Sequence, residues 1–224
     1  MKGRKSSETV NTLMLEMHKM RGSGMSKLLT KKQHDIIAFE DASKIEKHSV
    51  VQDCSLFVIG SHQKKRPHNL VMGRVFNGNV LDMFEFGVED FQSMREMKAN
   101  MTLPMDMKPL ILFQGEPFEM SEKHKRCKNL LIDFFKMSDS TEVNVQEMQR
   151  ILVFTCMSNT ANITCQQFES GAINEGEIKN NKLPELKEVG PHFSLKIRRT
   201  QCADTALYKE ACRKPKTTNV AKKN

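Results

Sequence analysis

Apolar positions along the chain fall into helical stripes and short continuous runs. Val10, Leu13, Met14, Met17 and Met20 recur at i, i+3, i+4, i+7 and i+10, which predicts an amphipathic helix over residues 9–21, ended by Gly22-Ser23-Gly24. That stripe suits packing on the body of the protein or on a partner. Residues 25–53 are mixed and charged, with Ile36-Ile37-Ala38-Phe39 as a candidate strand. Cys54 to Ile59 is an apolar run that breaks at Gly60, the pattern of a strand buried on both faces. Leu70–Phe76 and Asn79–Phe86 flank Asn77-Gly78, a pair that tolerates φ > 0 and so predicts a hairpin. Asp82 and Glu85 are not in strict alternation, which leaves the register of the second arm open.

Further on, residues 88–97 suit a helix, and Pro109–Phe113 reads as a second short buried strand ending near Gly115. Residues 121–136 read as a helix capped by Ser121, with Cys127, Leu130, Leu131, Phe134 and Phe135 as its stripe. Ile151–Phe154 and Ile163–Phe168 predict another hairpin around Ser158-Asn159-Thr160, and the polar residues 169–187 predict a loop. Phe193, Leu195 and Ile197 alternate with Ser194, Lys196 and Arg198, as in a half-buried strand with one cationic face. By that alternation Arg198 points outward with Lys196 and Arg199 inward with Ile197, where it would need an acidic or carbonyl partner. Residues 202–213 suit a last helix stopped by Pro215, and residues 214–224 a disordered basic tail.

Composition narrows the class. The hydrophobic fraction is 38%, and part of it is made up by the 16 Met, which pack adaptably. The six Cys form no C-x-x-C pair, so free thiols in a reducing compartment are expected rather than a zinc site. Met1-Lys2-Gly3-Arg4-Lys5 starts no secretory signal, and no apolar run reaches the length of a membrane span.

Charge adds the candidate chemistry. The net charge of +8 is distributed as +6 over residues 1–32, −3 over 33–53, +4 over 54–81, −6 over 82–188 and +7 over 189–224. Basic ends are commonly solvated tails, but a block within the folded body is a stronger sign of a polyanionic ligand. No Asp or Glu occurs from Cys54 to Leu81, and Lys64-Lys65-Arg66 precede Pro67, which predicts an irregular cationic loop leaving a buried strand. Lys123, Lys125, Arg126 and Lys128 form a second candidate basic surface, for which a solvated helix face is the favoured account. Lys65-Arg66-x-x-Asn69-Leu70 and Lys125-Arg126-x-x-Asn129-Leu130 match at a spacing of 60, a coincidence given their different contexts, although a duplicated architecture stays open.

Enzymatic signatures are missing. Gly60-Ser61-His62-Gln63-Lys64-Lys65 lacks the second Gly and the Lys-Ser/Thr of a P-loop, and neither G-x-S-x-G nor H-E-x-x-H occurs. No cofactor is expected.

Four segments resemble a known family. Gly190-Pro191-x-x-x-Leu195-x-Ile197-Arg198-Arg199 is similar to the motif near the end of Brix domains, found in eukaryotic ribosome-assembly factors. Gly60-Ser61-His62-x-Lys64-Lys65-Arg66-Pro67-x-Asn69-Leu70-Val71-x-Gly73-Arg74, Val80-Leu81-Asp82-Met83 and Leu130–Phe135 resemble one branch of that family. The likeness covers roughly residues 10–216, is weak over 155–187, and leaves a short C-terminal tail. It implies an α/β fold, a Brix domain of two pseudo-symmetric halves related to the anticodon-binding domain of class II aminoacyl-tRNA synthetases. On this reading residues 1–27 are a basic segment with a short helix, 28–213 the Brix domain and 214–224 a basic tail. It further implies a heterodimer with the regulator of ribosome synthesis protein, which brings 5S rRNA and its ribosomal proteins to the large-subunit precursor in the nucleolus.

A non-enzymatic rRNA-binding assembly factor is therefore the expected function. Lys64, Lys65, Arg66 and Arg74 would meet rRNA phosphates, with Lys196, Arg198 and Arg199 as a further patch and Lys125, Arg126 and Lys128 as a third. His62 and Asn69 could bond sugar or base, although Asn69 is as well suited to holding its own loop and Arg74 to pairing with Asp82. The competing reading is a protein-interaction scaffold of the same pathway, for which the cationic loop would be dispensable.

Overall fold

In the computed structural model, which describes residues 1–3, 5–33, 36–98, 103–104, 107–137, 149–158, 162–171 and 185–213, the apolar runs become strands of one sheet. In chain order the elements are β1 Lys2–Gly3, α1 Glu8–Arg21, β2 Lys32–Gln33, α2 Ser43–Gln52, β3 Leu56–Gln63, β4 Arg66–Phe76 and β5 Asn79–Gln92. There follow β6 Leu110–Gln114, α3 Pro117–Met120, α4 Glu122–Phe135, β7 Arg150–Cys156, β8 Asn162–Ser170, β9 Leu186–Glu188, β10 His192–Cys202 and α5 Thr205–Ala211. The strands lie in the order β2-β1-β3-β4-β5-β10-β8-β7-β6, with β9 on β8. The β1/β3 and β6/β7 pairs are parallel, whereas β3/β4/β5 and β7/β8/β10 are antiparallel. The order strand, helix, parallel strand, then two antiparallel strands thus occurs on both sides of the β5/β10 seam.

The two faces of the sheet are covered unequally. Helices α1 and α4 lie on one face, where Leu13, Met17, Leu130, Leu131 and Phe135 pack with Met72, Phe84, Phe86, Phe154 and Leu195. Each fully buried Leu or Phe there contributes about 1.5–3 kcal/mol. The N-terminal helix therefore spends its stripe on the body of the protein. On the other face a smaller cluster joins Ile45 of α2 and Ala38 to Phe57, Ile59, Val71, Val75 and Met83. Among the described residues no helix is long and apolar enough to cross a membrane.

Several sequence expectations are corrected. The cationic loop is reduced to Lys64 and Lys65, because β3 and β4 continue almost to each other. Pro67 is accommodated in β4 beside a bulge, where the register shifts between Ser61 and Gln63 and His68 takes φ 44°. Residues 88–97 do not form a helix; β5 runs on to Gln92 because β10 pairs with it beyond the end of β4, with Val88 opposite Leu195 and Gln92 opposite His192. Ile36–Phe39 is a turn closed by one bridge, Ile37 to Asp41. Helix α2 escaped notice because Ile45 is its single buried residue, so no stripe marks it. Ser121 stands at the N-cap of α4, but its side chain makes no cap hydrogen bond. The loop expected over 169–187 is bounded by β8 and β9, and residues 172–184 and the tail 214–224 lie outside the described residues. All six cysteines are free thiols, with Cys127, Cys156 and Cys165 buried.

Candidate nucleic-acid interface

Lys64 and Lys65 form the turn between β3 and β4, both exposed and, among the described residues, without a carboxylate partner. A two-residue connection between long strands holds its side chains on a stiff arm rather than a floppy loop. His62 helps to shape that arm. Its Nδ1 accepts the His68 N–H at 3.1 Å, and the two rings meet edge to face at 5.0 Å. The His68 Nδ1 lies 2.9 Å from Ser7 Oγ at the start of α1. Burial, with His62 and Arg198 nearby, pushes the His68 pKa below the usual histidine value.

Behind the tip, residues distant in sequence converge on the more open face of the sheet. In β10 the register shifts between Ile197, opposite Phe86, and Arg199, opposite Glu85. Cross-strand partners share a face, so the bulge turns Arg199 away from Ile197 and onto the Glu85 side. The inward position expected for Arg199 is thus corrected, although its need for an acidic partner is met. Arg199 Nε donates to Glu85 Oε2 at 2.5 Å and its guanidinium stacks 4.3 Å from the Phe39 ring centroid. Arg66 Nη1 donates to the same Glu85 Oε2. The Glu85 side chain is 2% exposed, against 38% for Arg66 and 40% for Arg199. Burial alone would raise the Glu85 pKa, but its hydrogen bonds from Arg199, Arg66 and Asn69 outweigh that and hold it below the usual carboxylate value.

Arg198, the extra residue of the bulge, reaches back across the seam. Its Nη1 donates to Asn69 Oδ1 at 2.9 Å and its Nη2 to the Pro67 carbonyl at 2.8 Å. It lies directly over Gly87, where an added Cβ would stand 2.5 Å from Nη2 and 2.7 Å from Cζ. Lys196, opposite Gly87, is exposed and 3.9 Å from Glu89. Arg66, Asn69, Lys196, Arg198 and Arg199 therefore surround one surface that the Lys64-Lys65 turn extends, whereas His62 is joined through His68 to Ser7 at the start of α1.

The other candidates lie elsewhere. Arg74 is on the helix-covered face, 9% exposed, and its Nε donates to Asp82 Oδ1 at 2.9 Å. Its Nη2 pairs with the other Asp82 oxygen, and its Nη1 reaches Asn129 Oδ1 and Asp133 Oδ2, each at 2.6 Å. Lys125 is paired with Glu122 and Lys128 with Glu119, while Arg126 stacks on Tyr208 at 5.0 Å. Lys125, Arg126 and Lys128 are thus neutralised or stacked by their own surroundings. Sequence reasoning missed Glu85, Gly87 and Phe39. The irregular spacing of Asp82 and Glu85 was the one usable signal, since positions three apart in a strand face opposite ways.

Comparison with known proteins places the chain in a family. The family model described as Brix domain matches residues 3–199. The ribosome production factor 2 homolog of Homo sapiens is 34% identical over 222 residues, covering 99% of this chain and 70% of that protein. Those of Drosophila melanogaster and Arabidopsis thaliana are each 34% identical, covering 99% and 96% of this chain and 67% and 68% of theirs. A crystal structure of a probable ribosomal biogenesis protein from Aeropyrum pernix K1 aligns over 91% of this chain at 9% identity, with a TM-score of 0.48. On the extent of the family match and the identity to these homologs, the chain belongs to the Brix domain family, in the group of the ribosome production factor 2 homologs.

Proposed function

We propose that the protein is a non-enzymatic rRNA-binding assembly factor of the large ribosomal subunit. In this reading it works in the nucleolus as a heterodimer with the regulator of ribosome synthesis protein. It recruits 5S rRNA, with its ribosomal proteins, to the precursor particle. Family membership carries the coarser part, a role in ribosome biogenesis. The division into residues 1–27, 28–213 and 214–224 belongs to the same proposal.

One observation chiefly supports RNA contact. Basic residues from two distant parts of the chain, about the Lys64-Lys65 turn and about Arg198-Arg199, are gathered on a single face. Uncompensated lysines on a stiff turn attract the phosphate backbone, and arginines on the adjoining sheet supply forked donors to it. The mechanism is placement: phosphate contacts fix the position of the RNA and no bond is made or broken.

The test is an electrophoretic shift of a 5S rRNA transcript over a salt series. With about four phosphate contacts, log K falls against log[salt] with a slope near −3 to −4. Lys64→Ala/Lys65→Ala reduces affinity and makes the slope shallower by about 2, with the melting temperature unchanged. Binding by that variant equal to wild type favours the scaffold reading, in which the turn is dispensable.

A further inference from the structure

Three arginines at this surface are fixed in place, which is unusual for exposed cations. A free surface arginine loses side-chain entropy when it meets a phosphate. Here much of that ordering is supplied by the protein itself. Arg66 and Arg199 are tied to one nearly buried carboxylate, Glu85, and Arg199 is also stacked on Phe39. Arg198 lies flat on the sheet over Gly87, bonded to Asn69 and to the Pro67 carbonyl. A buried acid inside a cationic surface weakens the attraction for a polyanion. Its presence is explained if orientation of the guanidinium groups matters more there than the charge it subtracts.

We infer that Glu85 and Gly87, two positions apart on β5, are positioning residues that hold Arg66, Arg198 and Arg199 as a preformed cluster for one phosphodiester of a folded RNA. The inference rests on the RNA-binding reading above. Forked N–H pairs match the oxygens of a phosphate, so a fixed cluster reads phosphate geometry, whereas Lys64 and Lys65 act as point charges. The bulge in β10 is part of the device, because it places Arg198 and Arg199 on the same side.

The experiment leaves every cation in place. Glu85→Gln removes a negative charge, so a surface governed by charge alone would bind RNA more tightly. Positioning requires the opposite. Affinity for the 5S rRNA transcript falls about fivefold at 0.15 M salt and the salt slope becomes shallower by about 1, the weight of one lost phosphate contact. Gly87→Ala changes no charge and gives the same loss, because its methyl displaces the Arg198 guanidinium. The atoms it meets are the end of a flexible side chain, so the fold is retained. Asp90→Asn is the control, an equal charge change at an exposed position of β5 whose φ of 49° Asn tolerates. It leaves affinity equal or higher. Melting temperatures accompany each titration. Binding by Glu85→Gln at or above the wild-type level, with an unchanged slope, overturns the inference while leaving RNA binding intact. Should Glu85→Gln fail to fold, Gly87→Ala decides, and wild-type affinity in that variant overturns it. Wild-type protein that binds no RNA removes the underlying reading, and this one with it.

Discussion

Replacing Arg74 tests whether a cation inside the basic stretch is structural. Arg74→Ala removes a guanidinium that makes two bonds to Asp82, one to Asn129 and one to Asp133. Those acids hold the Arg74 pKa above the usual arginine value, although burial alone would lower it. After truncation Asp133, 29% exposed, still has Lys136 at 3.2 Å, but Asp82 is 1% exposed and is left between strands without its counter-charge. Breaking a buried pair in this way costs about 3–5 kcal/mol. For a chain of this size that is roughly 6–20 °C in melting temperature. The assay is thermal unfolding followed by circular dichroism, with RNA affinity measured well below both transitions and expected to match wild type. Arg74→Ala/Asp82→Ala should lose less stability than the two single variants added together, since the stranded charge is then gone. A variant that melts like wild type and loses RNA refutes this account, for it would mean that Arg74 leaves its acids to meet the ligand.

Two further outcomes follow from the charges. Glu16 is nearly buried and accepts the Met94 N–H at 3.0 Å with one oxygen, while the other has no hydrogen-bond partner among the described residues; burial raises its pKa. Folding therefore favours its protonated form, and its contribution becomes more favourable as pH falls through the raised value towards the unfolded one of about 4.5. Glu16→Gln should raise the melting temperature at pH 7 and flatten its dependence between pH 7 and 5, as calorimetry can check. Lys125→Ala/Lys128→Ala should change RNA affinity by less than about twofold at 0.15 M salt, because both lysines already have acidic partners.

Local pattern exposed the framework and hid the register. The stripes of α1 and α4, the Asn77-Gly78 turn and the run into Gly60 were legible because burial imposes a period on each. The far end of β5, Glu89-Asp90-Phe91-Gln92, is polar enough to suit a helix end, and only its pairing with the distant β10 keeps it extended. Helix α2 left no stripe because a single residue fastens it to the sheet. The shell that separates Arg74 from the other cations is completed by Asn129 and Asp133 of α4, and the bulge that sends Arg199 to Glu85 depends on pairing between strands over a hundred residues apart. Alternation within β10 alone could not contain that shift.

Donor use distinguishes the arginines that build the fold from those suited to a ligand. A guanidinium carries five N–H groups. Arg74 directs four of them to acceptors in its own fold, through Nε, Nη2 and both hydrogens of Nη1. Among the described residues Arg66 directs one, while Arg198 and Arg199 each direct two. The difference begins in β5. Asp82 and Glu85 are three positions apart and face opposite sides of the sheet, so one lies under α4, where Asn129 and Asp133 complete the shell around Arg74. The other lies on the open face, where a single carboxylate is shared by two arginines and satisfies neither. A phosphate brought to that face meets donors already oriented and still unspent, whereas one brought to Arg74 would have to displace two aspartates. The same residue type thus closes the core on one side of β5 and remains available on the other.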